Sequence, residues 1–394
     1  MARNSKKYFR AYFRKVIILM KINLKNIFYN YEILFALFLF RYPIVRVLNN
    51  EFLYDIIIIL AIFMLFLKKS IDKKFIALNS IVLLYLFINY FFYFDYRNEI
   101  THVLKVYMMV GLLSTFIFSY CKNYAKLLNY LVLMAIINIF IVAFLFINRL
   151  KYDINYMDLG YYLLNSLLII YLKYYKDKKK MWFLIIIPLT IFIFIYGSRG
   201  ATISFIFSIL ITIILDFKNS VTYKKVIAFI FSGVIIISGL FIITQEDYLL
   251  KFNNYLNSKG IFSYAITKYV DKSESFSSGR VNRYELALND IKQHPFIGNG
   301  VGNYSAKYGL NYVHNIFLQL MDEGGILLLI IVAILILRFF LVLINTKNTD
   351  EKLIYILLIS LSFKLIITSQ YWDEFSFWLV LNIALDDIKN KVKR

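Results

Sequence analysis

Apolar runs separated by short polar connections organise this chain, at roughly 31–48, 51–67, 75–94, 102–120, 127–147, 159–175, 181–197, 200–215, 226–243, 325–344, 353–371 and 374–387. A helix needs about 20 mostly apolar residues to cross a bilayer's hydrocarbon, so the pattern predicts membrane spans, several of them slightly short. Ahead of the first run, residues 5–29 interleave Tyr8, Phe9, Tyr12, Phe13, Ile17 and Ile18 with Lys6, Lys7, Arg10, Arg14, Lys15, Lys21 and Lys25. That alternation predicts a cationic amphipathic helix lying on the membrane. It is not the pattern of a cleavable signal peptide, because no small-residue cleavage site follows a short apolar core.

One long polar stretch, 244–312, interrupts the rhythm. It contains an amphipathic helix candidate at 281–293, with Val281, Tyr284, Leu288 and Ile291 on one face. Ser277, Ser278 and Gly279 offer a cap region before it, and His294-Pro295 ends it. A turn predicted to be flexible follows at Gly298-Asn299-Gly300-Val301-Gly302, then a second short helix from near His314 to Asp322-Glu323-Gly324-Gly325. Loops with helices of their own usually close over a site. The chain thus divides into a basic segment 1–30, spans one to nine over 31–243, the loop 244–312, spans ten to twelve over 313–388, and a basic tail 389–394.

Charge sets the expected orientation. Only 18% of residues are charged, yet the net charge is +21, carried by 33 Lys against 12 Arg. With the N-terminus in the cytoplasm, inside connections hold 29 Lys and Arg and short outside connections hold 7. Cationic residues concentrate on the cytoplasmic side of membrane proteins, so both termini are expected inside and 244–312 outside. A nucleic-acid-binding chain would gather its charge on a basic domain rather than in clusters between apolar runs. The 60% apolar content and mean hydropathy of +0.66 likewise exceed what a soluble core can use. The single cysteine, Cys121, excludes an intramolecular disulfide and any CxxC metal pattern.

Few side chains are available for chemistry. Arg199 lies in the tight turn Tyr196-Gly197-Ser198-Arg199-Gly200-Ala201 between two spans. It can snorkel to the interface, but arginine in a lysine-dominated chain also suits bidentate phosphate recognition. Arg280 opens the loop helix, where a cation opposes the helix dipole by ~0.3–1 kcal/mol unless an anion binds there. Arg280 reads equally well as a solvated loop arginine, and so does Arg283. The histidines are His102, His294 and His314. A neutral imidazole can take a proton from a hydroxyl. His294 precedes a proline at a helix end and His102 starts a span, so both have structural readings; His314-Asn315, leading into the tenth span, is best placed. Lys364 falls near the middle of the eleventh span, where a charge is a functional candidate or pairs with a neighbour. The glycines at 298–302 follow no strand, which argues against dinucleotide binding. HExxH, DxD and cysteine clusters are absent, so no metal is expected.

Four segments carry a resemblance: Gly-Ser-Arg-Gly-Ala (197–201), Ser-Gly-Arg (278–280), His-Pro-Phe-Ile-Gly-Asn-Gly-Val-Gly-Asn (294–303) and His-Asn-Ile-Phe-Leu-Gln-Leu-Met-Asp-Glu-Gly-Gly-Ile (314–326). In order and in placement relative to the spans, this region resembles the bacterial O-antigen polymerase and O-antigen ligase family. It departs at Tyr284, where the family often has Trp, and in its sparse glycine after Gly325. The resemblance implies an all-α integral membrane protein of about twelve helices with a large extracytoplasmic helical loop (GT-C-like). It implies a metal-independent, cofactor-free inverting glycosyltransferase in the bacterial cytoplasmic membrane, acting on undecaprenyl-diphosphate-linked oligosaccharides at the extracytoplasmic face. Arg199 and Arg280 would bind the donor diphosphate and His314 would act near the acceptor hydroxyl, with His294, Lys364 and Asn315 as accessory candidates. A chain-length regulator and a flippase are the candidate protein partners. Repeat-unit polymerase is the first expectation, ligase the second, and a flippase or other transporter the alternative from a different class. Buried acids for ion coupling are scarce and no internal repeat is visible, which weighs against transport.

Overall fold

The computed structural model describes residues 30–48, 72–149, 156–196, 199–219, 246–259 and 280–387, with isolated positions at 56, 152 and 154. The expected N-terminal amphipathic helix, the ninth apolar run, nearly all of the second, the Ser277–Gly279 cap and the basic tail lie outside them. Every regular element among the described residues is helical. In chain order they are α1 (Tyr31–Leu39), α2 (Arg41–Leu48), α3 (Lys73–Phe92), α4 (Arg97–Tyr107), α5 (Leu113–Ser119), α6 (Tyr124–Ile147), α7 (Tyr156–Asp177), α8 (Lys180–Tyr196), α9 (Arg199–Asn219), α10 (Glu246–Ser258), α11 (Arg280–Gln293), α12 (Asn303–Tyr308), α13 (Ile316–Asn345), α14 (Thr349–Ser362) and α15 (Phe375–Ala384).

Four helical segments among the described residues are long and apolar enough to cross a membrane: Lys73–Phe92, Phe94–Ser119, Tyr124–Ile147 and Ile316–Asn345. Short polar side chains start several of these helices. Asp72, Asn123 and Asn315 each accept a bond from a first-turn N–H that has no partner within its own helix. The Phe94–Ser119 span is not regular throughout. A π-turn at Met108–Leu112 interrupts it, where Gly111 lets the chain approach the Tyr107 and Trp378 rings. Buried polar side chains join the helices laterally. Asn138 on α6 donates to the Tyr162 carbonyl and to Ser166 Oγ of α7, each at 2.8 Å. Tyr107 donates to Asn79 Oδ1 at 2.6 Å, and Asn79 donates to Thr115 at 3.2 Å. Such bonds are worth about 0.6 kcal/mol each in a membrane, so close apolar packing supplies most of the association.

Two runs that hydropathy reads as single spans are broken. The first stops at Phe40, between α1 and α2. Arg41 there is buried rather than in a connection, donating to the Phe38 carbonyl at 3.0 Å with its guanidinium 4.1 Å above the Phe38 ring. The 353–371 run forms only α14, then 3₁₀ turns at Phe363–Ile366 and Tyr371–Asp373 before α15. Irregular backbone at membrane depth persists only where protein or a wet cavity satisfies its polar groups. Here Lys364 pairs with Glu374 at 2.5 Å, and Ser376 donates to Glu374 at 2.7 Å.

Connections that charge assigns to one side do meet in space. Lys74 pairs with Asp386, and Lys176 with Asp350, joining the start of α3 to the end of α15 and the end of α7 to the start of α14. At the opposite end, the end of α3 and the start of α4 pack against the 298–302 turn, so the bundle has a basic end and a loop end.

Candidate functional site

The loop end is built on glycines. Gly298, Gly300, Gly302 and Gly325 all hold positive φ, between 66° and 92°. A Cβ on Gly298 would sit 2.5 Å from the Gly324 nitrogen, and one on Gly325 would overlap the Phe296 carbonyl. The two glycine motifs are therefore the two faces of one backbone-to-backbone contact. The 298–302 turn, expected to be flexible, is fixed. Asn299 N–H donates to the Asp322 carbonyl at 2.6 Å, Gly300 N–H to the Glu323 carbonyl at 3.2 Å, and Val301 N–H to Asn89 Oδ1 at 2.8 Å. A left-handed backbone and direct contact leave no room for a side chain, so Gly325→Ala should cost more than the ~1–3 kcal/mol of backbone strain alone. A fall in thermal stability of the purified protein would record it; an unchanged melting temperature would contradict this packing.

Side chains below the turn fasten α11 to the membrane helix. Asp290 pairs with Lys307, accepts from Tyr308 at 2.9 Å and from Asn303 at 3.3 Å. Asn303 and Asn299 also donate to Asp322 Oδ1, at 3.2 and 3.1 Å. The acidic partner holds the Lys307 ammonium above its ordinary range. The packed face of α11 differs from the expected one. Ile291 is buried as predicted, but Val281 and Leu288 are exposed, while Ala287 and Asp290 face inward. Ala287 allows close approach to Tyr304 and Val313, and the polar ties of Asp290 set the rotation that periodicity alone placed elsewhere.

His314 sits where this assembly meets α13. Its backbone is left-handed, φ 66°, an uncommon and strained setting for a residue with a Cβ. Tyr284 donates to its carbonyl at 3.4 Å, and the Tyr312 ring lies 4.3 Å from the imidazole. Its Nδ1 is buried with no hydrogen-bond partner among the described residues. Burial first, then the positive charges of Arg283 and Arg280, push the imidazole down from 6.5 to about 4. The ring is therefore neutral at pH 7 and able to accept a proton. Arg283 is not simply solvated: it donates to the Tyr312 carbonyl at 3.1 Å, beside His314. Its i,i+3 spacing from Arg280 was visible in the sequence, and that spacing puts both cations on one helix face.

The other expected residues are distributed as follows. Asn315 caps α13, accepting from Phe317 and Leu318 N–H at 2.9 and 3.2 Å. His294 is exposed beyond the far end of α11, about 20 Å of helix from Arg280. Arg199 is the first residue of α9. Gly200 beside it packs on the Tyr161 hydroxyl and Thr368, and Lys364 Nζ lies 5.1 Å from the Tyr161 ring. The 363–374 segment bridges the two regions. Lys364 and Thr368 approach α9, while Tyr371 and Trp372 donate to Glu323 Oε2 on α13 at 2.5 and 3.0 Å. Glu323 was read only as part of a helix stop, and hydropathy gives no hint that residues 48 positions apart converge on it. Among the described residues, no group of three His, Cys, Asp or Glu could hold a metal ion.

This arrangement places a neutral imidazole near two arginines, at the end of helices suited to a membrane. The family model described as O-Antigen ligase matches residues 183–333. No curated protein matches the chain. The O-antigen ligase match is consistent with the O-antigen ligase and polymerase family, and implies glycosyl transfer by a multi-pass bacterial membrane protein. It spans α8 to the middle of α13, taking in Arg199, Arg280, Arg283, His314 and the paired glycine motifs. Lys364 and the bridging segment lie beyond it.

Proposed function

We propose that this protein polymerises oligosaccharide repeat units for a capsule or O-antigen, transferring a growing chain from undecaprenyl diphosphate onto a lipid-linked acceptor. The observation that carries the reading is the approach of Arg280 and Arg283 to a neutral, partly buried His314. His314 takes the proton from the acceptor hydroxyl as its oxygen attacks the anomeric carbon from the face opposite the leaving group. The bond to the diphosphate oxygen breaks, its electron pair stays with the diphosphate, and the configuration inverts. Arg280 and Arg199 stabilise the negative charge that develops there. No step requires a metal or a cofactor. The accompanying topology has twelve spans, both termini in the cytoplasm and the loop end outside, following the distribution of Lys and Arg. A lipid-borne donor explains why the site belongs at a membrane surface.

The second reading is a ligase that moves finished glycan to a lipid, wall or protein acceptor, and the description of the matching family favours it. Deleting the gene separates the two. Loss of a polymerase leaves surface glycan limited to single repeat units, seen as one short electrophoretic band. Loss of a ligase leaves long chains on the polyprenyl carrier. A normal ladder with normal attachment would exclude both and favour transport or another role.

A further inference from the structure

The turn after α11 presents Pro295, Phe296 and Ile297 outward. Phe296 is 68% and Ile297 64% exposed, the kind of adjacent apolar surface that marks an interaction site. Its depth is set by α13. The helix breaks at Gly325, and from Ile326 to Asn345 it rises about 30 Å, the thickness of a bilayer's hydrocarbon. Ile326 N–H donates to the Pro295 carbonyl at 2.9 Å, and Leu327 N–H to the Phe296 carbonyl at 3.4 Å. The turn therefore lies beside the first turn of the spanning segment. On that segment Leu327, Ile330, Ile331, Ile334, Leu337 and Leu341 form one exposed apolar stripe at helical spacing, the kind of face a membrane-spanning helix turns to lipid. Phe296 and Ile297 meet the end of this stripe, while Lys292, Gln293 and His294 lie exposed just before them.

We propose that Pro295-Phe296-Ile297 is a membrane-inserted anchor, its side chains in the acyl chains of the leaflet at the loop end. Continuity with the stripe names the occupant: Leu327 opens the exposed apolar face of a helix long enough to cross a bilayer, and its N–H donates to the Phe296 carbonyl. The anchor fixes the C-terminal end of α11 in the bilayer, and Asp290, in the last turn of the same helix, ties it to α12. The helix that carries Arg280 is then held at the membrane surface whatever lipid-linked substrate the site accepts, so the proposal does not depend on the polymerase reading.

The test uses the full chain carrying Cys121→Ala, reconstituted in vesicles of phosphatidylethanolamine and phosphatidylglycerol. A nitroxide is placed at Phe296→Cys, with Lys259→Cys, exposed at the end of α10, as the aqueous reference. Oxygen concentrates in hydrocarbon and a neutral nickel chelate in water. The label at 296 should collide with oxygen several-fold more than with nickel, and the label at 259 should show the reverse. Nickel access at 296 equal to that at 259 would overturn the proposal. Shielding from both reagents would also overturn it, in favour of a protein segment or second copy covering the turn. Should the nitroxide disturb the turn, Phe296→Trp offers an independent reading. Brominated acyl chains should quench its added fluorescence over the background of Trp182, Trp372 and Trp378, and quenching by aqueous acrylamide alone would again refute insertion.

Discussion

Replacing His314 by alanine is expected to lower turnover by about 10²–10⁴-fold while leaving donor affinity nearly unchanged, as for a group that acts on the proton in flight. The assay is elongation of lipid-linked oligosaccharide by purified protein. A collapse of donor affinity instead would make His314 a diphosphate ligand. The wild-type pH profile gives a second reading of the same group. The imidazole is pushed down to about 4 by burial and by Arg283 and Arg280, so it stays in its basic form from neutrality down to about that pH. The acidic limb of kcat/KM, which reports the free enzyme, should therefore fall near 4 rather than near the 6.5 of an unperturbed histidine. Arg283→Ala removes one positive neighbour and should move that limb upward. A limb near 6.5 in the wild type would mean that His314 is more solvated than its position indicates.

Arg280→Ala and Arg199→Ala should each reduce polymer formation by about 10²–10³-fold at normal protein levels, the scale seen when a donor to developing negative charge is removed. Lysine at either position should restore only part of the activity, because it keeps the charge but loses the planar two-pronged donor. Immunodetection of the protein in membranes alongside the glycan ladder distinguishes loss of chemistry from loss of fold. Full activity in either alanine variant would remove that arginine from the site. If Arg199→Ala alone remains active, the cations beside His314 suffice, and the α9 terminus is an interfacial anchor.

Local patterns in the sequence determined what depends on them. The helical period placed α11 within a residue of its start, and His294-Pro295 ended it, because caps and breakers act over a single turn. The break at Gly325 was legible because the paired glycines 324–325 punctuate an apolar run, and the clustering of lysines anticipated which helix ends meet at the basic end. The arginines at 199 and 280 and the histidine at 314 stood out by rarity in a chain with 12 Arg against 33 Lys and only three His. What only the tertiary structure decided were relations between distant residues. Hydropathy sums side chains and ignores direction, so it gave no sign that the 353–371 run loses its regular helix after Ser362, where Lys364 bends inward to Glu374 and Tyr371 turns to Glu323. Periodicity fixed that α11 has an apolar face, but the choice of face fell to Asp290, whose partners Lys307, Tyr308 and Asn303 come from another helix. The charge state of His314 likewise could not be read from the 314–326 motif that contains it. Its neutral state arises from burial and from two guanidinium groups on α11, a helix followed by the 293–302 stretch that packs against Gly324 and Gly325.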